Sequence, residues 1–489
     1  MNFVAMLGRV AVTAAMLSCG PVQADSLREA IGRAYDNNPD LAGNRALTRA
    51  ADEVVTQAEG AYGPSLSVSA RHEYTLRRTA LGRDSVEDEG FGTSASATLS
   101  QPLFTSGRLA ARLDGARASQ MIARENLRAS SQQLILDVVN AYASLERDIA
   151  LYDVAVEIHK LLQQQRDVTL SRFELHDSTQ PDVDQTTNRL QIAAGRVIAA
   201  RAAVEASAAR YRNLVGKYPD DLAPLPDLRV PAAVGPLYDH AETNNPALAA
   251  ARFTERRSRA AVAAARAEKG PQVSAFAAAE RVPLTPFQNT RHTESIAAGV
   301  GLSMPLYSGG QLSAALREAI ARNAADQLFF EQARRDIRET LAADWHLLQA
   351  ASDALPRFEA AVRAAERAVE GVKRQETAGI RTLRDVLEVT NDLLTARTSE
   401  VQTRAELYIR KAAVLRDAGL LTVDVFTDRP SYDPASNRPP MAGIAGLPLR
   451  PVIDPIDRLL LNARVPPVRV DVENASDFPW NGREDAVRP

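Results

Sequence analysis

Cysteine is nearly absent from this 489-residue chain, and the single one, Cys19, falls inside an N-terminal stretch that reads as an export signal. Arg9 supplies its positive charge, Val10 to Leu17 its mostly apolar segment, and Val22-Gln23-Ala24 a small-residue cleavage site, so residues 1–24 are the signal peptide and the mature chain starts at Asp25. No disulfide can then staple the exported protein. A lipoprotein reading makes Cys19 an acylation site, although Met16-Leu17-Ser18 fits the usual order poorly. After residue 24 there is no uninterrupted apolar run of about 18 residues, which excludes an ordinary helical membrane span. Export without such a span leaves the periplasm, the cell surface or an outer-membrane β-barrel. Charge of one sign is also missing: the net value is −3 and no polybasic run occurs, so nothing points to nucleic acid. Aromatic residues make up only 5%, and the abundance of alanine, arginine and glutamate favours long, closely packed helices over a broad core.

Catalytic and cofactor patterns are lacking as well. His72, His159, His176, His240, His292 and His346 are scattered, with no two at metal-ligand spacing. Val215-Gly216-Lys217-Tyr218 is not a phosphate loop, Gly299-Val300-Gly301 is not a dinucleotide fingerprint, and no Gly-x-Ser-x-Gly elbow occurs. The expectation is no enzyme, no cofactor and no metal.

What the chain does have is an internal duplication. Leu99-Ser100-Gln101-Pro102-Leu103-Phe104 aligns with Leu302-Ser303-Met304-Pro305-Leu306-Tyr307, a step of 203 residues that recurs between Tyr142 and Trp345, Asp182 and Asp385, and Gly216 and Gly419. Asn37-Asn38-Pro39 and Asn244-Asn245-Pro246 match at 207. The period is too long for a solenoid and fits a duplicated unit, residues 25–230 and 231–427.

Each half begins with a helix broken at its Asn-Asn-Pro triplet, Leu27 to about Gly60 and Leu237 to about Lys269. Period-two alternation then predicts strands at about 64–76 and 91–104, and at about 271–280 and 296–306, with Arg77 to Gly90 as a polar loop. Four strands cannot close a membrane barrel, since the smallest has eight and an open edge in lipid leaves backbone groups unpaired. Either several chains share one barrel or the strands cap a soluble bundle. Helical spacing resumes from Gly107 to about Phe173 and from Gly310 to about Gln375; each such helix is roughly 100 Å long at 1.5 Å per residue. Return helices run from about Pro181 to Leu214 and from Arg381 to Leu415, ending at Gly216 and Gly419. Tyr142 and Trp345 are expected to pack between helices. The Pro-rich tail, 428–489, reads as mostly disordered.

Pro305-Leu306-Tyr307-Ser308-Gly309-Gly310 and the stretch from Ala378 to Val389 closely resemble the TolC-type outer-membrane efflux proteins, and the likeness runs from Asp25 to about Thr427. That resemblance implies a mainly α fold with a twofold repeat: a homotrimer whose four strands per chain close a twelve-stranded barrel in the Gram-negative outer membrane, continued by antiparallel coiled-coil helices as a periplasmic tunnel. It implies a duct for drug or solute efflux or for type I protein secretion, working with a periplasmic adaptor and an inner-membrane pump, proton-driven or ATP-driven. By position, Asp385 and Glu388 correspond to an acidic constriction, Arg381 to the arginine that holds it closed, and Asp182 to an acid on the neighbouring helix pair. Glu376, Pro181 and His176 stand where the family channel has tyrosine, threonine and glycine, so the latch is expected to be wired differently.

Asp385 and Glu388, three apart, project from one helix face with about 5 to 6 Å between Cβ atoms. Three copies around an axis would hold counter-cations and crowd like charges. The plainer reading is a solvated acidic face paired with Arg381 and Arg384. Leu66, Val68, Leu99, Ile296 and Val300 are the expected lipid-facing residues. A periplasmic coiled-coil scaffold or adhesin-like stalk without a pore is the alternative, and it would tolerate polar residues at those positions.

Overall fold

The computed structural model describes residues 25–461 apart from 438, 442 and 460. The expected signal segment with Cys19, and the tail beyond 461, lie outside the described residues. Among the described residues, eight helices and four strands follow the duplicated order: α1 (Leu27–Asn37), α2 (Pro39–Gly60), β1 (Ser65–Leu81), β2 (Asp84–Phe104), α3 (Arg108–Glu174), α4 (Gln180–Val215), then α5 (Val234–Asn244), α6 (Pro246–Ala267), β3 (Gln272–Thr285), β4 (Gln288–Ser303), α7 (Gln311–Thr377) and α8 (Leu383–Asp417). The short α9 (Val423–Phe426) and the peripheral α10 (Arg450–Leu459) follow them among the described residues. No described helix is long and apolar enough to cross a membrane.

Both Asn-Asn-Pro triplets break their helix in the same way. Asn38 Oδ1 accepts the N–H of Asp40 (2.9 Å) and Leu41 (3.2 Å), and Asn245 Oδ1 accepts those of Ala247 (2.9 Å) and Leu248 (3.2 Å). Proline at the first helical position needs no donor there, so cap and proline restart the helix at a bend.

α3 and α7 are 67 residues each, about 100 Å at 1.5 Å per residue. α3 packs against α2 and α6 near the sheet and against α4 and α8 toward its far end, while α7 packs against α6 and α8. The main core sits midway, where Leu27, Ile31, Ile135, Leu145 and Tyr211 close around Tyr142, whose hydroxyl donates to the carbonyl of Asp25 at 2.8 Å. Trp345 lies in the equivalent cluster with Leu237, Leu341, Leu348 and Val414. Gly216 (φ 91°) and Gly419 (φ 73°) both take the left-handed conformation that ends these return helices.

The four strands form one antiparallel sheet in the order β1-β2-β3-β4. Two rows cross it on one face, Val68–Ala97–Ala279–Ile296 and Leu66–Leu99–Ala277–Ala298, and Val300 joins that face opposite Ala275. The other face carries Ser67–Thr98–Ala278–Ala297 and Ser69–Ser96–Glu280–Ser295. All five expected lipid-facing residues therefore share one apolar side, and all five are exposed.

Two expectations need correction. The stretch Arg77–Gly90 is not a loop: β1 and β2 run on to a two-residue turn at Gly82-Arg83, with Leu81 opposite Asp84. Its charges pair across the ladder, Arg78 with Glu87 at 2.8 Å and Arg77 facing Asp88, so a polar sequence still forms strand. β3 likewise extends to Thr285 past an irregularity at Pro283, and β4 begins at Gln288 and stops at Ser303, short of Pro305. The tail is not disordered over its described part. Arg429 binds Asp36, the Tyr432 N–H donates to the Tyr35 hydroxyl at 2.8 Å, and α10 buries Ile453 against Tyr62, Leu109 and Leu113. Its apolar residues Val452, Ile453, Ile456 and Leu459 recur at helical spacing over only ten residues interrupted by Pro455, too short a run to read as a helix from sequence, but they suffice once Ile453 docks on a ready-made groove.

Candidate functional site

The ends of the two long helical hairpins, far from the sheet, hold every candidate gate residue. α3 turns into α4 through Leu175–Thr179, and α7 into α8 through Ala378–Thr382, at the same positions of the repeat. Each turn leaves its first helix through a left-handed residue. In the second repeat this is Gly379 (φ 74°), and in the first it is His176 (φ 61°), a side chain in a conformation that costs about 1 kcal/mol.

Each return helix is opened by a threonine and an aspartate. The Asp385 carboxylate accepts the Thr382 N–H at 2.9 Å and its hydroxyl at 3.0 Å, while the Asp385 N–H donates to that hydroxyl at 3.4 Å. Asp182 repeats the arrangement, accepting the Thr179 N–H at 3.1 Å and hydroxyl at 2.6 Å, with Ser178 adding a bond at 3.3 Å. These bonds favour the charged form, so Asp385 is held below the usual carboxylate range by the Thr382 backbone and side chain, and Asp182 by the Thr179 side chain and backbone. Both acids are thus fixed in orientation and charge by their own helix starts. Glu388 and Arg381 are exposed, and Arg381 approaches neither Asp182 nor Asp385 within ion-pair distance in the single chain.

Glu376 is different. It is buried in the last turn of α7, where Arg172 in the last turn of α3 donates to it. Among the described residues this pair links the two hairpin ends directly, and Arg172 was not singled out by sequence because its equivalent in the repeat is Gln375. The one sequence signal was Glu376 itself, an acid three residues before the Gly379 turn. Higher up, Leu387 of α8 packs against Ile158, Leu162 and Leu190 of the first hairpin, and Arg397 joins α8 to Glu366 of α7 (2.8 Å) and Glu157 of α3. The hairpins therefore meet through an apolar contact flanked by ion pairs, with polar turns beyond it that also present Leu175 and Ile380 to solvent.

Known proteins resemble this chain both in sequence and in fold. The family model described as outer membrane efflux protein matches residues 30–217 and 237–419, one segment for each half of the duplication. The outer membrane efflux protein BepC of Brucella suis is 26% identical over 420 residues, covering 84% of this chain and 91% of that one. The alkaline protease secretion protein AprF of Pseudomonas aeruginosa is 25% identical, covering 71% and 74%. Among solved structures, the Campylobacter jejuni CmeC outer membrane channel superposes with a TM-score of 0.72 at 15% identity, over 84% of this chain and 88% of that one. With both halves matched and the apolar sheet face in place, the chain belongs to the outer membrane efflux protein family, export channels of the Gram-negative outer membrane.

Proposed function

We propose that three copies of the chain close one twelve-stranded barrel and extend it as a helical tunnel, a passive exit duct fed by an inner-membrane pump through a periplasmic adaptor. The observation that carries this reading is the open sheet. β1 and β4, of 17 and 16 residues, are edge strands, each paired on one side and with no partner on its outer edge among the described residues, and their apolar face is exposed in the single chain. Such edges in lipid cost several kcal/mol per unpaired group unless a neighbouring copy's β4 and β1 complete the ladder. The hairpin ends are the proposed gate, with Asp385, Glu388, Arg381 and Asp182 lining it and Arg172–Glu376 bracing it, and their turns are the surface proposed to meet the adaptor. BepC is named for efflux and AprF for protease secretion, and the duct geometry serves either cargo.

Purified protein tests the proposal in planar bilayers and by solution mass. Three chains per particle with cation-preferring single-channel currents are expected; a monomer without conductance would overturn it.

A further inference from the structure

α10 sits on the outward side of the sheet's periplasmic rim. Gln101 lies in register with Ala275 and Val300, on the apolar face, and its amide donates to the Tyr62 carbonyl at 2.8 Å; the Tyr62 hydroxyl in turn donates to Asp454 of α10 at 2.9 Å. Its height is fixed by Asp457, fully buried, which accepts the Thr105 N–H at 2.8 Å and also the Thr105 hydroxyl. Thr105 directly follows Phe104, whose row continues through Val273 to Leu302 as the lowest apolar row of the sheet. The helix is therefore about one strand residue, roughly 3.3 Å, below the apolar band.

Its orientation is the reverse of a helix resting on a protein core with its charges in water. Arg450 pairs with Glu59 (2.8 Å), Arg458 with Asp114 (3.0 and 3.1 Å), Asp454 with Tyr62 and Asp457 with Thr105, so its charged residues turn toward the protein. Val452, Ile456 and Leu459, at spacings of four and three, turn outward and are exposed, and Leu447 precedes them. An apolar helical stripe with its polar groups satisfied behind it, continuous with a lipid-facing band, suits the headgroup–acyl boundary of a bilayer.

We infer that α10 is an interfacial strap whose Val452–Ile456–Leu459 face lies in the periplasmic leaflet of the outer membrane, the phospholipid seating the barrel at a fixed depth through this helix. The inference rests on the barrel reading, and the test separates the two. Full-length protein carrying Val452→Cys, Ile456→Cys or Leu459→Cys, each with Cys19→Ser, is labelled with an environment-sensitive fluorophore in vesicles of phosphatidylethanolamine and phosphatidylglycerol. Ile296→Cys on the sheet and Ile198→Cys on α4 serve as comparators. The three α10 labels are expected to shift to the blue and to be quenched by lipid spin-labelled near the headgroup; the Ile296 position should be quenched from deeper in the chain, and the Ile198 position not at all. Labels on α10 that behave like the one at Ile198, with the Ile296 position still quenched, overturn the strap and leave the barrel standing. A blue shift without lipid quenching, unchanged in detergent, means that a neighbouring copy covers the face and overturns the strap equally. An unquenched label at Ile296 removes the barrel and the strap together.

Discussion

Arg172 and Glu376 join the last turns of the two longest helices, and the pair breaks the internal repeat: the residues at the corresponding positions are Gln375 and Phe173. A duplicated chain that kept its symmetry would leave the hairpin ends untied. The asymmetric pair tells the second hairpin from the first and holds it there. The Glu376 side chain is only 9% exposed, so removing its partner strands a carboxylate away from water.

Arg172→Ala should accordingly loosen the hairpin ends at a cost of about 1.5 kcal/mol, the low end for a charged hydrogen bond because Arg172 is one-third exposed. Single-channel recordings should show higher conductance or longer openings. Glu376→Gln should act in the same direction, and the double variant should add little. Fully additive effects would separate the two residues.

Glu388 is exposed and lies one helical turn beyond Asp385, whose carboxylate is already engaged by Thr382. Glu388→Gln should reduce the cation preference of the reconstituted channel while leaving the turn intact, whereas Asp385→Asn should also fray the start of α8, seen as faster hydrogen exchange at Thr382. Because bonding holds Asp385 and Asp182 low, their caps are complete above pH 4 or so and are lost only as the pH falls through the lowered values. Cap loss between pH 5 and 8 would contradict this.

His176→Gly should relieve the left-handed strain and stabilise the α3–α4 turn by about 1 kcal/mol, while Gly379→Ala should destabilise the other turn by a similar amount. Limited proteolysis within 172–182 and 375–385 reads both. Equal nicking rates in wild type and His176→Gly would show that the strain is offset elsewhere.

Much of this architecture was legible in the sequence because it is written in periodicity and repetition. The ends of α3, α4, α7 and α8 fall within a few residues of their expected limits, since glycine and proline punctuate them. The alternating Leu66, Val68 and Leu99 mark the oily face before any fold is known. What was not legible depends on partners distant in sequence. The charges of 77–90 read as loop until Arg78 is seen opposite Glu87. Arg172 is one arginine among many until α7 brings Glu376 beside it. The tail residue Asp457 has its meaning only at Thr105, 352 residues earlier.

That contact carries its own prediction. Asp457→Ala leaves the buried Thr105 N–H and hydroxyl at the start of α3 without an acceptor, at about 2–3 kcal/mol. Thermal unfolding of the purified protein should shift to lower temperature, and Asp457→Asn, which keeps an acceptor, should recover part of the loss. A chain ending before α10 should expose Tyr62, Leu109 and Leu113 and be at least as destabilised. No shift in any of the three would mean that the strap is idle.

Asp417 at the end of α8 gives a pH dependence of the opposite sense to Asp385. Burial pushes its carboxyl up to about 7, and Asp344 adds to the rise; Arg416, bonded at 2.6 and 2.9 Å, opposes it. An unfolded aspartate releases its proton near pH 4, so between about 4 and 7 the folded chain holds a proton that the unfolded chain has lost. Stability from this group is therefore greatest at the acid end and declines as the pH rises to about 7, by at most a few kcal/mol, then stays level. Asp417→Asn removes the titration while keeping the shape, so the variant should gain on wild type at pH 8 and not at pH 4. Calorimetric scans of both proteins across that range decide it. A constant difference at every pH would mean that Arg416 keeps Asp417 ionised throughout, and that this corner, where Asn245 donates to the Asp417 carbonyl at 2.8 Å, is held by a charge pair and not by a proton.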